Sequence, residues 1–282
     1  MKMRKYKRLN SIIYHVFVGI LAFFMIYPAL WLIASSFKDS SEIFVNSYSL
    51  IPKKWSFDNY VQGWRGFGNI SFSTFFKNSF IIVISSTIGQ VLASSLVAYG
   101  FSRIRFKWKK FWFACMIITM LLPQQVLIIP QYIFFSKLGW MNSFKPLIIP
   151  SFFGLPFFIF LMMQFIQGIP YSLDESAYLD GCGKTGIFIK IILPLILPAV
   201  ITSTIFSFYW KWQDFLGPLL YLQTAKKYPI SVALKLFADP AAVTNWGAMF
   251  AMSVLSLVPV FVVFISFQKY LVEGISTSGL KG

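Results

Sequence analysis

Apolar residues run along this chain in long uninterrupted stretches, separated by short segments that hold most of its charges and turn-forming residues. Several stretches reach about 20 residues, the length an α-helix needs to cross a hydrocarbon layer of about 30 Å. The runs are continuous rather than alternating, which argues against the strands of a membrane barrel. Lipid offers no partner for backbone N–H and C=O groups, and a helix satisfies them internally. The pattern therefore predicts an all-α membrane protein with six transmembrane helices, at Ile12–Ala34, Phe75–Phe101, Phe111–Phe135, Pro146–Phe165, Leu193–Leu222 and Ala248–Phe267.

Of the segments between the runs, residues 169–198, IPYSLDESAYLDGCGKTGIFIKIILPLILP, carry the most structure in their pattern. Ser172 with Glu175 three residues on predicts a capping box, and Asp174 and Glu175 suit the positive end of a helix dipole. Gly181 and Gly183 supply a stop, since glycine tolerates the left-handed conformation that ends many helices. The result is a two-turn helix over about 172–183. Small residues there, Ser176 and Ala177 with Gly181 beyond, let another protein approach closely, and Tyr178 and Leu179 suit anchoring in its groove. A second short helix, Lys184 to Ile192, leads into Pro194 and the fifth span.

Composition and charge sharpen this picture. Hydrophobic residues make up 57% of the 282 and charged ones 12%, well under the roughly 25% of a soluble domain. The formal charge of +16 invites a nucleic-acid reading. Its clusters, however, are Lys2, Arg4, Lys5, Lys7 and Arg8 at the start and Arg103, Arg105, Lys107, Lys109 and Lys110 in one loop, each flanking an apolar run. That placement fits the positive-inside rule and anionic lipid, with no nucleic acid needed. Six crossings then put both termini in the cytoplasm, together with 102–110 and 168–192, while 36–74, 136–145 and 223–247 face outward. The basic start with an apolar run also has the outline of a secretory signal, but Ile12–Ala34 exceeds the apolar core of about 7–15 residues found there.

The chemistry of sites is sparse. One histidine, His15, cannot build a metal cluster or a catalytic triad, and Cys115 and Cys182 suggest no disulfide. Gly183-Lys184-Thr185 imitates the end of a phosphate-binding loop, but Tyr178 stands where that loop needs its first glycine. Neither a cofactor nor a metal is expected on this chain.

Glu175-Ser176-Ala177, Asp180-Gly181, Phe188, Ile191, Leu193-Pro194 and Pro198 resemble the EAA motif of binding-protein-dependent ABC importer permeases. Ser176 and Cys182 stand where that family usually has alanine. SSFKDSSEIF after the first span, IPKKWSFDNY, WQDFLGPLLYL at 212–222 and the tail LVEGISTSGLKG look like the second permease subunit of carbohydrate importers of the maltose type. The resemblance implies a type I importer permease fold: residues 1–74 as tail, first helix and external segment, 75–270 as the permease core, and 271–282 as a cytoplasmic tail. It implies that Glu175, Ser176, Ala177, Tyr178, Leu179, Asp180, Gly181 and Gly183 couple to an ATPase, with Ser278, Gly279, Leu280, Lys281 and Gly282 as a second contact. The partners it implies are a sister permease in a heterodimer, two ATPase subunits that use ATP and Mg, and an extracellular sugar-binding protein. The chain itself is then a transport subunit of the cell membrane rather than an enzyme.

Residues for the solute are less sharply marked. Lys211 and Asp214, three apart in the fifth span, can form an internal ion pair on one helix face with aromatics at the interface. Equally, Trp210, Trp212, Gln213 and Asp214 can line a translocation path, because aromatic faces and polar acceptors suit sugar rings and hydroxyls. Gln124 and Gln125 are weaker candidates, since buried Gln often bonds across helices. Three other classes stay open: a permease of the same superfamily for peptides or amino acids, an ion-coupled transporter, for which Asp214 is the one convincing intramembrane acid, and a membrane enzyme, for which no catalytic cluster is visible.

Overall fold

The computed structural model describes residues 2–237 and 245–279. Among them helices dominate and no strand forms beyond one isolated bridge, Phe67 with Ile70. In chain order the helices are α1 (Lys2–Ser36), α2 (Ser40–Val45), α3 (Asp58–Arg65), α4 (Phe72–Arg103), α5 (Lys109–Leu121), α6 (Gln124–Lys137), α7 (Pro156–Gln167), α8 (Ser172–Leu179), α9 (Lys184–Leu195), α10 (Leu197–Trp212), α11 (Leu216–Tyr221), α12 (Ile230–Leu236) and α13 (Trp246–Gly279). Lys145–Ile148 and a 3₁₀ turn at Ile149–Phe153 precede α7. Four described helices are long and apolar enough to cross a membrane, and counting each of two bent pairs as one span gives six.

Two of the six expected spans are bent pairs of helices. Over Phe111–Phe135, α5 and α6 meet at 106°. Pro123 is the cause: proline pushes the residue before it to extended backbone, and Leu122 has ψ 123°. The run Pro146–Phe165 is interrupted at Gly154, with φ +81°, and at Leu155, extended ahead of Pro156. The expected fifth span, Leu193–Leu222, is instead two helices, α9 and α10, bent by 76° at Ile196 and ending at Trp212, with α11 separate. Pro198, in the first turn of α10, has no N–H to continue the ladder across that bend. A π turn, Phe188–Ile192, lies within α9. The expected tail from residue 271 continues α13 as helix through Gly279.

Two compact units make up the chain: Met1–Phe72 with Leu234–Val258, and Ser73–Ala233 with Pro259–Gly282. In the first, the 37–65 segment is folded by aromatic and polar contacts. Phe37 touches the rings of Trp55, Phe57 and Tyr60, each at 5.2–5.3 Å between centroids. Asp39 caps α2 through the Ser41 N–H, and bonds from the Ser41 side chain and backbone hold its carboxyl below the ordinary range. Lys38 is fully buried, its Nζ donating to the carbonyls of Asn46 (3.1 Å) and Ser49 (2.5 Å), while Asn59 Nδ2 donates to Ser36 and Lys38 carbonyls. Lys38→Met keeps the aliphatic stem but leaves those carbonyls unpaired, at a cost of about 1–3 kcal/mol. The expected result is faster protease cleavage between residues 39 and 57 in intact vesicles. An unchanged cleavage rate would assign the ammonium no part in holding the segment.

In the second unit α4 is the central element. Ser86, Gln90 and Ser94 recur four apart and so share one face, and that face repairs the broken backbone beside it. Ser86 Oγ donates to Leu147 O at 3.0 Å, and Ser94 Oγ accepts Leu155 N–H at 3.0 Å. Irregular backbone at membrane depth persists where protein groups satisfy it, and here they do. The apolar core joins Tyr99 of α4 to Met162 and Ile166 of α7, Ala177 of α8, Phe188 and Ile192 of α9, and Ala199 of α10.

Candidate functional site

The short helix α8 starts earlier than its sequence suggests. The N–H groups of Leu173, Asp174 and Glu175 bond to the carbonyls of Pro170 and Tyr171, so Tyr171 occupies the cap position with helical dihedrals. Ser172 is already inside the helix and the expected capping box does not form, because the Glu175 N–H that its hydroxyl would take bonds to Tyr171 O instead. The C-terminus does end at Gly181, with φ +83°. Gly181 N–H bonds to Tyr178 O at 3.0 Å and Cys182 N–H to Ala177 O at 2.9 Å, the paired bonds of a Schellman stop. Gly183 has φ −72° and serves as the cap of α9 rather than as part of that stop.

Burial divides the residues expected to dock. Glu175, Ser176, Asp180, Gly181 and Gly183 are exposed, and Tyr178 and Leu179 are 70% and 86% exposed. Ala177 faces the other way, buried in the core, so it seats the helix instead of meeting a partner. Asp174 is buried beside Ala177 and faces Arg103, the last residue of α4. Arg103 Nε lies 2.6 Å from Asp174 Oδ2, with the two side chains 9% and 10% exposed. No aligned N–H···O bond accompanies this approach, so the two meet as charges. Burial pushes the Asp174 carboxyl above its ordinary value, and the Arg103 charge pulls it back. Sequence reasoning placed Arg103 only among basic residues near the membrane. The contact lies across 71 residues of chain, and no local pattern marks it.

A second region gathers polar groups at the end of α10. Trp210, Gln213, Asp214, Lys211, Gln90 and Leu155 line a cavity of about 600 Å³. Lys211, Asp214, Gln90 and Leu155 also line an adjoining cavity of about 380 Å³ that adds Gln125, Gln131 and Ser151. Trp210 stacks on Phe158 at 5.5 Å, which fixes its ring. Trp212 does not join it: that ring is 7% exposed and stacks on Phe208 in the core, because two positions along a helix turn it to a different face. Lys211 and Asp214 make no ion pair within 4.0 Å. The helix ends at Trp212, so their spacing is not helical, and Asp214 Oδ1 instead accepts Gly217 N–H at 3.1 Å. Gln90, missed from sequence, accepts from Ser207 Oγ at 2.7 Å; the four-residue spacing from Ser86 to Ser94 was its available signal. The side chains of Gln124 and Ser278, and Leu280, Lys281 and Gly282, lie outside the described residues, and Gly279 is the last residue of α13.

Apolar spans, a presented helix with an apolar tip and a polar cavity within the helices together define a multi-pass membrane transport subunit. Residues 90–277 match the family described as binding-protein-dependent transport system inner membrane components, and the chain belongs to that family. It is 35% identical to the probable ABC transporter permease YurM of Bacillus subtilis, over 95% of this chain and 87% of that protein. It is 32% identical to the arabinooligosaccharide transport system permease AraQ of Halalkalibacterium halodurans, over 93% of each chain. Its fold is similar to that of a chain in the crystal structure of a bacterial ABC transporter that imports the acidic polysaccharide alginate. The TM-score is 0.82 at 22% identity, over 93% of this chain and 96% of that one.

Proposed function

We propose that this ABC permease subunit pairs with a sister permease to form the translocation path for a carbohydrate, in the size class of an oligosaccharide. α8 docks on one of two separate ATPase subunits, which bind ATP and Mg, and an external binding protein delivers the sugar. Both termini, the 102–110 loop and α8 then lie in the cytoplasm. The observation that carries the coupling role is the exposed pair Tyr178 and Leu179 on a helix whose opposite side is locked into the core. Glu175, Ser176, Asp180, Gly181 and Gly183 complete the contact surface, and Ser278 to Gly282 are a second contact on the same partner. Support for a sugar comes from the names of the similar proteins and from Trp210, Gln213 and Asp214 around one cavity.

Reconstitution in proteoliposomes with a sister permease, an ATPase and a binding protein is expected to give ATP-dependent accumulation of labelled oligosaccharides. Accumulation of dipeptides or amino acids with no response to saccharides would overturn the sugar assignment. Within that system, Trp210→Ala removes a stacking face worth about 1 kcal/mol. It is expected to raise the sugar concentration for half-maximal uptake about five-fold, with less effect from Trp212→Phe, whose ring is core. Equal uptake by Trp210→Ala and the parent would remove Trp210 from the path.

A further inference from the structure

Arg103 does more than terminate a helix. Its guanidinium meets Asp174 in the first turn of α8, and its Nη2 donates to Ile169 O at 2.7 Å in the segment leading into α8. It also covers the Tyr171 ring at 5.0 Å, and the Tyr171 hydroxyl donates back to Arg103 O at 3.4 Å. Tyr99, one turn earlier on α4, donates to Lys184 O at the start of α9. One end of α4 thus grips the chain on both sides of α8, through groups that are buried or half-buried. α8 is held besides by its chain connections, by packing against the start of α9 and by Ala177 in the core.

From Arg103 it is 13 residues along α4 to Gln90, about 20 Å of continuous helix at about 1.5 Å per residue. Gln90 lines both polar cavities and is held by Ser207 of α10. A helix is stiff along its axis, whereas the route through α9 crosses a π turn and a 76° bend. Displacement entering at α8 therefore meets a direct, unbroken element only if α4 is fastened to it. The geometry points to Arg103 as the positioning residue that fastens α8 to α4, so that motion of the docking helix reaches the Gln90 cavity. This inference rests on the reading of α8 as the ATPase-docking helix.

Arg103 meets α8 at its first turn through Asp174 and also lines a cavity of about 480 Å³ with Tyr178 and Leu179, so binding of the ATPase and transmission of its motion are measured separately. The full importer in proteoliposomes is assayed for ATPase co-purification and for sugar taken up per ATP hydrolysed. Arg103→Gln removes the charge facing Asp174. With the ATPase still co-purifying in full, sugar per ATP is expected to fall at least about five-fold. Arg103→Lys keeps a charge but loses the planar, forked reach to Ile169 O, and is expected to fall between the two. If Arg103→Gln does not accumulate in the membrane, Arg103→Lys decides alone. An unchanged ratio in the deciding variant overturns the assignment, and so does loss of ATPase co-purification with Arg103→Gln, which would make Arg103 part of the docking surface. Leu179→Asp is the separate control: if it leaves ATPase binding intact, the docking reading of α8 fails instead.

Discussion

Leu179→Asp is expected to detach the ATPase from this subunit while leaving its own fold intact. Leu179 is 86% exposed at the last turn of α8 and Tyr178 beside it is 70% exposed, so neither contributes much to the chain's own core. A surface substitution of this kind changes stability by about 0.5 kcal/mol or less. In a protein groove the balance is different. Central anchoring side chains cost about 2 kcal/mol or more when truncated, and a carboxylate placed in a desolvated pocket adds a penalty of its own. A combined loss of about 3 kcal/mol corresponds to a Kd about 150 times weaker. Titration of purified ATPase against the permease in nanodiscs measures this directly. Thermal unfolding of the variant within a few degrees of the parent, together with the lost affinity, is the expected pair of results. Undiminished affinity would mean that the apolar tip of α8 is not the contact.

The spans were legible in sequence because a bilayer imposes a length and an apolar composition on every crossing helix, and the apolar spans Ser11–Ser36 of α1 and Phe72–Arg103 of α4 extend the predicted Ile12–Ala34 and Phe75–Phe101 by only a few residues. The bends were less legible. Pro123, Pro156 and Pro198 were visible, but proline also sits inside α1 as Pro28 and inside α13 as Pro259 without dividing either helix. Whether a proline divides a span depends on whether neighbouring groups satisfy the freed backbone, as Ser94 does at Leu155 beside Gly154 and Ser86 does at Leu147. At α8 the glycine stop was readable because Gly181 has one local conformational reason to be there. The start was misread: Ser172 and Glu175 fit the capping pattern, yet the backbone begins its turn at Pro170 and uses the N–H groups first. Arg103 with Asp174, and Gln90 with Ser207, join distant parts of the chain, and nothing near either residue in sequence announces its partner. Trp212 shows the limit of composition, since it sits between two cavity-lining residues and points elsewhere.

Gly181→Pro is expected to break the link between ATP hydrolysis and uptake, lowering sugar accumulated per ATP more than ten-fold. Gly181 holds φ +83°, and proline is fixed near −65°, so the variant cannot adopt the stop that ends α8. It also lacks the N–H that bonds to Tyr178 O, and the adjoining bond from Cys182 to Ala177 O depends on the same turn. Together these changes cost about 3 kcal/mol, enough to unwind the last turn of an eight-residue helix. That turn carries Tyr178 and Leu179, so the contact surface loses its shape while α8 stays tethered at its start by Arg103 and Asp174. Gly181→Ala separates conformation from space. A Cβ built at this position meets nothing within 4 Å, so alanine pays only the left-handed backbone penalty of about 1 kcal/mol. Its uptake per ATP is expected to fall a few-fold at most. Equal defects in the two variants would point to an approaching partner with no room for a methyl group, and a proline variant with the parent's ratio would show that α8 transmits force without a fixed C-terminal stop.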